Sequence, residues 1–179
     1  MAQLDLLQKY KGNKKTFIET GTWQGDGILQ SIRAGFDTIY TCDIDPDLVE
    51  RAKDIYSYHP DLHVINNYSH LFLEEIMPKI DEECLVFLDA HIMPGKTGWE
   101  DSHRQIELCG GSTECPLVKE VDAISKSKIR THTILIDDYG CFGSWVFNGL
   151  QFKTIQNMIM NINKDYKISI ENEVACFYI

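Results

Sequence analysis

Two short acidic segments carry residue types that can do chemistry: Leu88-Asp89-Ala90-His91 and Ile136-Asp137-Asp138-Tyr139. Each closes an apolar run. Together they supply three carboxylates and an imidazole. Like charges held close repel unless a cation or a proton lies between them. Two chemistries resolve that crowding. A carboxylate and His91 can act together as a general base, with Asp89 or His91 taking the proton. Alternatively, a divalent metal bound by oxygen ligands can lie between the carboxylates. The candidate catalytic residues are therefore Asp89, His91 and Asp138.

Three other segments are suited to binding. Glu19-Thr20-Gly21-Thr22-Trp23-Gln24-Gly25-Asp26-Gly27 follows a short apolar run. Glycine lets a backbone turn sharply and approach a ligand without a Cβ in the way. A helix starting there would point its first N–H groups into the same space. The glycines stand at 21, 25 and 27, which is not the GxGxxG spacing of a nicotinamide dinucleotide site. Asp43 comes about 20 residues later at the end of another apolar run, where an acid can accept both hydroxyls of a ribose. Asp45 reads as a helix cap. Asn66-Asn67-Tyr68-Ser69 is a polar turn of ordinary composition; Ser69 or Asn67 can bond a base, and Tyr68 can cover it.

These residues matter only if the chain brings them together. Strand-like and helix-like runs alternate from residue 15 onward. Strands are expected at 14–20, 37–43, 61–67, 83–90 and 131–138. Helices are expected at 25–35, 46–58, 70–80, 116–127 and 150–163, with Gly35 and Asp45 as caps and Pro46 and Pro116 in first turns. Leu4, Leu6 and Leu7 form a short amphipathic cap before them. Two last strands, 166–172 and 173–179, meet at a tight turn at Glu171–Asn172 and should pair antiparallel. Repeated strand–helix units imply a parallel sheet with right-handed crossovers. The expected fold is α/β: a Rossmann-like, doubly wound seven-stranded sheet, mostly parallel, with an antiparallel C-terminal hairpin. Ligands of such sheets bind beyond the carboxyl ends of the strands, where every segment above falls. Residues 91–115 break the rhythm and are expected to be an irregular lid over an acceptor. Trp99, Glu100, Asp101, His103 and Arg104 lie in it. Trp99 can stack on a ring or pack the lid down, and Phe142 and Trp145 in the irregular stretch 139–149 raise the same choice.

A strand ending in an acid, then G-x-x-x-G-x-G, with Asp43 and the Asn67–Ser69 turn in order, resembles the class I S-adenosylmethionine-dependent methyltransferases along essentially the whole chain. That resemblance implies S-adenosylmethionine as cofactor. It assigns contacts to Glu19, Thr20, Gly21, Thr22, Gln24, Gly25, Asp43, Ser69 and Asp89, with Glu19 orienting the ammonium. The run FLDAH, a Gly-rich insertion, ECPLVKE and ILIDDY is similar to small methyltransferases of glycan and natural-product tailoring. These include the macrocin-type sugar O-methyltransferases, in which acids at these strand ends hold Mg2+; carried over, that resemblance makes Asp89, Asp137 and Asp138 candidate ligands of Mg2+ or another divalent cation. The insertion at 91–115 departs from the macrocin pattern. The implied activity is methyl transfer to a sugar or glycan hydroxyl. Another small-molecule or protein acceptor, or a catalytically silent S-adenosylmethionine-binding domain, are the alternatives.

The bulk composition bounds the partners. The 179 residues suit one domain, 1–179, with one sizeable core. A net charge of −10 disfavours nucleic acid and anionic membrane. No apolar run approaches the roughly 18–20 residues of a membrane span, and the N-terminus lacks the pattern of a secretory signal. The six cysteines include no CxxC pair. Cys42, Cys84 and Cys176 sit in apolar runs, whereas Cys109 and Cys115 flank a loop and are placed to pair or bind metal. The set reads as reduced thiols of a cytoplasmic protein. A homo-oligomer and a longer multidomain chain are both compatible with this sequence.

Overall fold

The computed structural model describes residues 2–92 and 99–179, with side chains described for 2–92 and 103–179. Seven strands alternate with helices: β1 (Thr16–Thr20), β2 (Thr38–Asp43), β3 (Leu62–Asn66), β4 (Cys84–Leu88), β5 (Thr133–Ile136), β6 (Lys167–Glu171) and β7 (Val174–Tyr178). The helices are α1 (Leu4–Lys11), α2 (Asp26–Ala34), α3 (Pro46–Ile55), α4 (Ser69–Ile76), α5 (Trp99–Leu108), α6 (Leu117–Ser125) and α7 (Phe152–Ile162). The sheet runs β3-β2-β1-β4-β5-β7-β6. β1 to β5 are parallel, and β7 runs antiparallel between β5 and β6. The expected seven-stranded, doubly wound sheet is what forms.

The strands read as continuous apolar runs because both faces of the sheet are covered. Ile18, Val86, Leu88, Ile134 and Ile136 face α4, α6 and α7. Their alternates, Phe17, Leu85, Phe87 and Leu135, face α1, with Leu6 and Leu7 buried there. Ile28 of α2 packs with Val49 and Ala52 of α3 on the same side. The two-residue alternation of strand side chains divides one apolar run between two cores.

Local signals place the helix ends. Asp45 accepts a hydrogen bond from the Asp47 amide and Pro46 opens α3. Gly35, at φ 80°, ends α2 with its amide bonded back to Ile32. Pro78 falls in a tighter 3-10 turn, Met77–Lys79, so α4 ends at Ile76, short of the expected residue 80.

Two expectations need correction. The hairpin turn lies one residue further on: Asn172 and Glu173 both have positive φ, at 49° and 64°, while Glu171 still pairs with Val174. Two left-handed residues match the twist of a two-residue hairpin, and Asn tolerates that region. Residues 91–115 are not an irregular loop throughout, because α5 occupies Trp99–Leu108. Residues 93–98 of that stretch lie outside the described residues.

Candidate active site

The carboxyl ends of β1, β2 and β4 draw together through backbone hydrogen bonds. Gly21 and Thr22 donate to the Cys42 carbonyl at 2.9 and 3.0 Å, and Asp89 donates to the Thr20 carbonyl at 3.1 Å. Gly21 sits at φ 87°, and a Cβ there would lie 2.6 Å from the Asp89 carbonyl oxygen. Its glycine is required by the neighbouring strand end before any ligand is considered. Above these ends lies a cavity of about 600 Å³. Gly21, Trp23, Asp43 and Ile44 line one part of it, and Asn67, Tyr68 and Ser69 the next. Asp89, His91 and Asp138 also line it.

At the first part, Asp43 and the glycine turn are one unit. The Trp23 amide donates to Asp43 Oδ2 at 2.8 Å, and the Asp45 amide donates to Oδ1 at 3.0 Å. Each oxygen keeps a lone pair. Burial raises the Asp43 pKa, and those two amides hold it back. At the other part, the His91 side chain is 6% exposed and its ring meets Phe147 edge-on at 5.0 Å between centroids. Its Nε2 lies 2.8 Å from Asp138 Oδ2, off the axis of a ring N–H bond, and Nδ1 lies 3.8 Å from Asp89 Oδ1. Asp138 adopts a left-handed backbone, φ 51°, uncommon for a residue with a Cβ. That turn carries its side chain to His91 while Asp137 continues the sheet, donating its amide to the Leu88 carbonyl at 3.1 Å. Burial also raises the Asp89 pKa, with His91 opposing.

No family model matches the chain. A curated relative, glucose-6-phosphate isomerase of Buchnera aphidicola, is 33% identical over 89 residues, 48% of this chain but only 15% of that protein's length. The likeness to solved structures is broader. The chain superposes on the Podospora anserina methyltransferase PaMTH1, bound to S-adenosylhomocysteine, with TM-score 0.55 over 99% of this chain and 79% of that one, at 13% identity. It superposes on MycE, a methyltransferase of mycinamycin biosynthesis in complex with Mg, S-adenosylhomocysteine and mycinamycin VI, with TM-score 0.63 over 97% of this chain and 47% of that one, at 14% identity. A putative methyltransferase of Streptococcus mutans, SMU.1697c, matches over 100% of both chains with TM-score 0.57 and 9% identity. The fold is the class I methyltransferase fold. The chain spans about half the length of MycE.

Within this methyltransferase fold the expected contact residues separate into two groups. Gly21, Asp43, Ser69 and Asp89 line the cavity. Thr20, Thr22, Glu19 and Gly25 are buried behind it, and Gln24 is exposed. Thr22 bonds Thr41 at 2.7 Å, and the Thr20 hydroxyl accepts the Asp89 amide at 3.2 Å. Glu19 accepts a hydrogen bond from Thr41 at 2.9 Å and lies against Gly27, where a Cβ would come 1.5 Å from its Oε1. Glu19 therefore supports the turn from beneath, and burial pushes its pKa up to about 8. Gly25 leaves room for the Tyr56 ring, 2.6 Å from where its Cβ would stand.

The acidic group also differs from the expected one. Asp89, His91 and Asp138 offer ligand atoms within 4.8 Å of one another. Asp137 is outside that group; its Oδ1 accepts the Asp138 amide at 2.9 Å. His91 takes the place expected for Asp137, because the left-handed turn at 138 sends consecutive aspartates in different directions.

The sequence reading missed what two further residues do. Arg104 of α5 reaches Asp45 at 2.5 Å and Asp47 at 2.6 Å, and the Tyr68 hydroxyl donates to the Leu108 carbonyl at 3.1 Å. α5 is thereby tied to the Asp43 side, and its Gln105 joins Cys109 in lining the cavity. Glu120 is buried under the site, with its pKa raised by burial to about 7. Its signal was present: Leu117, Glu120, Val121 and Ile124 have the spacing of one inward helical stripe. His103 and Trp145 are exposed, and Phe142 packs against Phe147 and Phe152. The side chains of Trp99, Glu100 and Asp101 lie outside those described. None of the six cysteines is in a disulfide, Cys109 and Cys115 included.

Proposed function

We propose that this chain binds S-adenosylmethionine and transfers its methyl group to a hydroxyl of a small acceptor, a sugar or glycan. One observation carries the reading: a single cavity joins the Gly21 turn and Asp43 to Asp89, His91 and Asp138. The spare lone pairs of Asp43 suit the two ribose hydroxyls, and the Asn67–Ser69 turn beside it suits the base. Methyl transfer is an in-line displacement from a sulfonium carbon, so the protein's main task is alignment. The C–S bond breaks with its electron pair left on sulfur, a C–O bond forms, and the hydroxyl proton must leave. His91 takes that proton. Asp138, 2.8 Å away, stabilises the imidazolium by its charge.

A second reading of the same group is a divalent cation. One imidazole and two carboxylates within 4.8 Å fit such an ion, and the nitrogen donor suits Mn2+ or Zn2+ better than Mg2+. Asp89, His91 and Asp138 would hold it, and when bound it would lower the pKa of the acceptor hydroxyl. The net charge of −10 supports a neutral or cationic acceptor rather than nucleic acid or an anionic membrane. Among the described residues no helix is long and apolar enough to cross a membrane. Six cysteines outside any disulfide suit a reducing, cytoplasmic setting.

The test is calorimetry with S-adenosylmethionine, followed by mass spectrometry of a panel of sugars, glycans and other hydroxyl acceptors incubated with it. Chelator-treated protein, with and without added Mn2+ or Mg2+, runs in parallel. Binding plus a mass gain of one methyl group on a sugar supports the reading. Binding with no transfer to any acceptor class would leave a silent cofactor-binding domain.

A further inference from the structure

Glu120 is fully buried on α6, and neither carboxylate oxygen has a hydrogen-bond partner. The hydroxyls of Thr20 and Ser69 stand beside it and favour its ionised form, and Asp89 and His91 act on it electrostatically. Ser69, Asp89 and His91 all line the cavity. So does Cys42, whose thiol is pushed up first by burial and then by the charge of Glu120. Glu120 thus lies one layer beneath the cavity floor, ringed by residues that touch the ligand space. A carboxylate in such a place costs free energy unless a positive charge comes near. Leucine or methionine would fill the inward stripe of Leu117, Val121 and Ile124 without that cost.

We propose that Glu120 makes the cavity select the cationic, methyl-bearing sulfonium cofactor over its neutral thioether product. The proposal rests on the cofactor reading above. S-adenosylmethionine and S-adenosylhomocysteine share their adenosine and amino-acid parts and differ in the methyl group and its charge at sulfur. A carboxylate that ionises below the floor stabilises the first and not the second. Transfer removes the positive charge from sulfur, so the same carboxylate that favours loading stops favouring retention once the reaction is complete. The groups facing Glu120 are Thr20 from β1, Cys42 from β2, Ser69 from α4, and Asp89 and His91 beyond β4. Of these, Asp89 opposes its ionisation and His91 favours it.

The experiment is titration calorimetry of the full chain and of Glu120→Gln and Glu120→Met with both cofactor forms, alongside thermal melts without ligand. The wild type should prefer S-adenosylmethionine on the order of tenfold, the size of one pKa unit of differential charge interaction. In both variants that preference should fall toward unity, while affinity for the thioether holds. Ligand-free melting temperatures should stay level or rise, because a buried charge is removed. Lower melting temperatures or loss of folding would mark Glu120 as a structural residue and overturn the proposal. So would an unchanged preference in the folded variants, or a wild type that binds both forms equally. A wild type that binds neither form would overturn the cofactor reading itself.

Discussion

The two ends of the sheet handle polar groups in opposite ways. At the amino ends, partners are matched within the protein. His132 is buried between strands, where its Nδ1 accepts the Cys84 amide at 3.2 Å and its Nε2 lies 2.8 Å from the Ser127 hydroxyl. Tyr166 donates to the His132 carbonyl at 2.6 Å, and Thr16 donates to Glu82 at 2.8 Å. Burial pushes the His132 pKa down to about 4, so the ring stays neutral. At the carboxyl ends the chain gathers Glu19, Asp43, Asp89 and Glu120, and burial raises the pKa of each. Backbone strain gathers there too, at Trp23 and Asp138. One sheet therefore carries a settled end and an end whose electrostatics favour an incoming cation. Perturbed acids in a cleft are a mark of function rather than of stability.

The sharpest way to break this comparison is at His91. His91→Ala should lower methyl transfer by about 10²–10⁴-fold, the usual size of a lost general base. Affinity for S-adenosylmethionine should change little, as calorimetry would report. Near-normal turnover would move the chemistry away from this group.

Next in size is the pH response of the settled end. His132 has a folded pKa of about 4 against 6.5 in the unfolded chain. Between those values the unfolded state binds more protons, so stability rises with pH through that window and is fully present above 6.5. The change is about 3 kcal/mol across the window. Glu19 works in the opposite sense. Its folded pKa of about 8 lies above the usual 4.5, so its contribution falls as pH rises from 4.5 to 8. Urea melts of the ligand-free protein from pH 4 to 8.5 would show a maximum between the two slopes. Glu120, with a folded pKa of about 7, adds to that fall below pH 7, so Glu19→Gln should flatten the slope between pH 7 and 8, and retention of that upper part would place its origin elsewhere.

Smallest is a steric test of how tightly the glycine turn rests on Glu19. Gly27→Ala brings a methyl group against the Glu19 carboxylate. It should cost about 1–3 kcal/mol by overpacking. Gly35→Ala adds a Cβ that meets nothing within 4 Å and suffers only its left-handed φ of 80°. Equal melting temperatures for Gly27→Ala and the wild type would mean that Glu19 swings aside.

Much of this molecule was legible because its signals are local. Alternating apolar runs with caps at Gly35 and Asp45 fixed the strands and helices to within a few residues. Glu120 also had a local signal, as the charged member of an inward helical stripe, yet its meaning required knowing that the stripe ends beneath the cavity. Arg104 had none, since Asp45 and Asp47 lie almost 60 positions away in the chain and meet it only in the fold. Periodicity within 99–108 was hidden by a composition rich in charge, so a helix tied to the Asp43 side was read as an acceptor loop.

The residue order alone determined that acids, glycines and a histidine would collect at one end of a parallel sheet, because strand–helix alternation sends every such segment to the carboxyl ends. Only the tertiary structure decided which of them share the cavity. A left-handed residue at 138 brought in Asp138 and left Asp137 out, and strand pairing turned Glu19 beneath its glycine turn. Such choices depend on backbone angles and on contacts between distant segments, and residue type alone does not specify either.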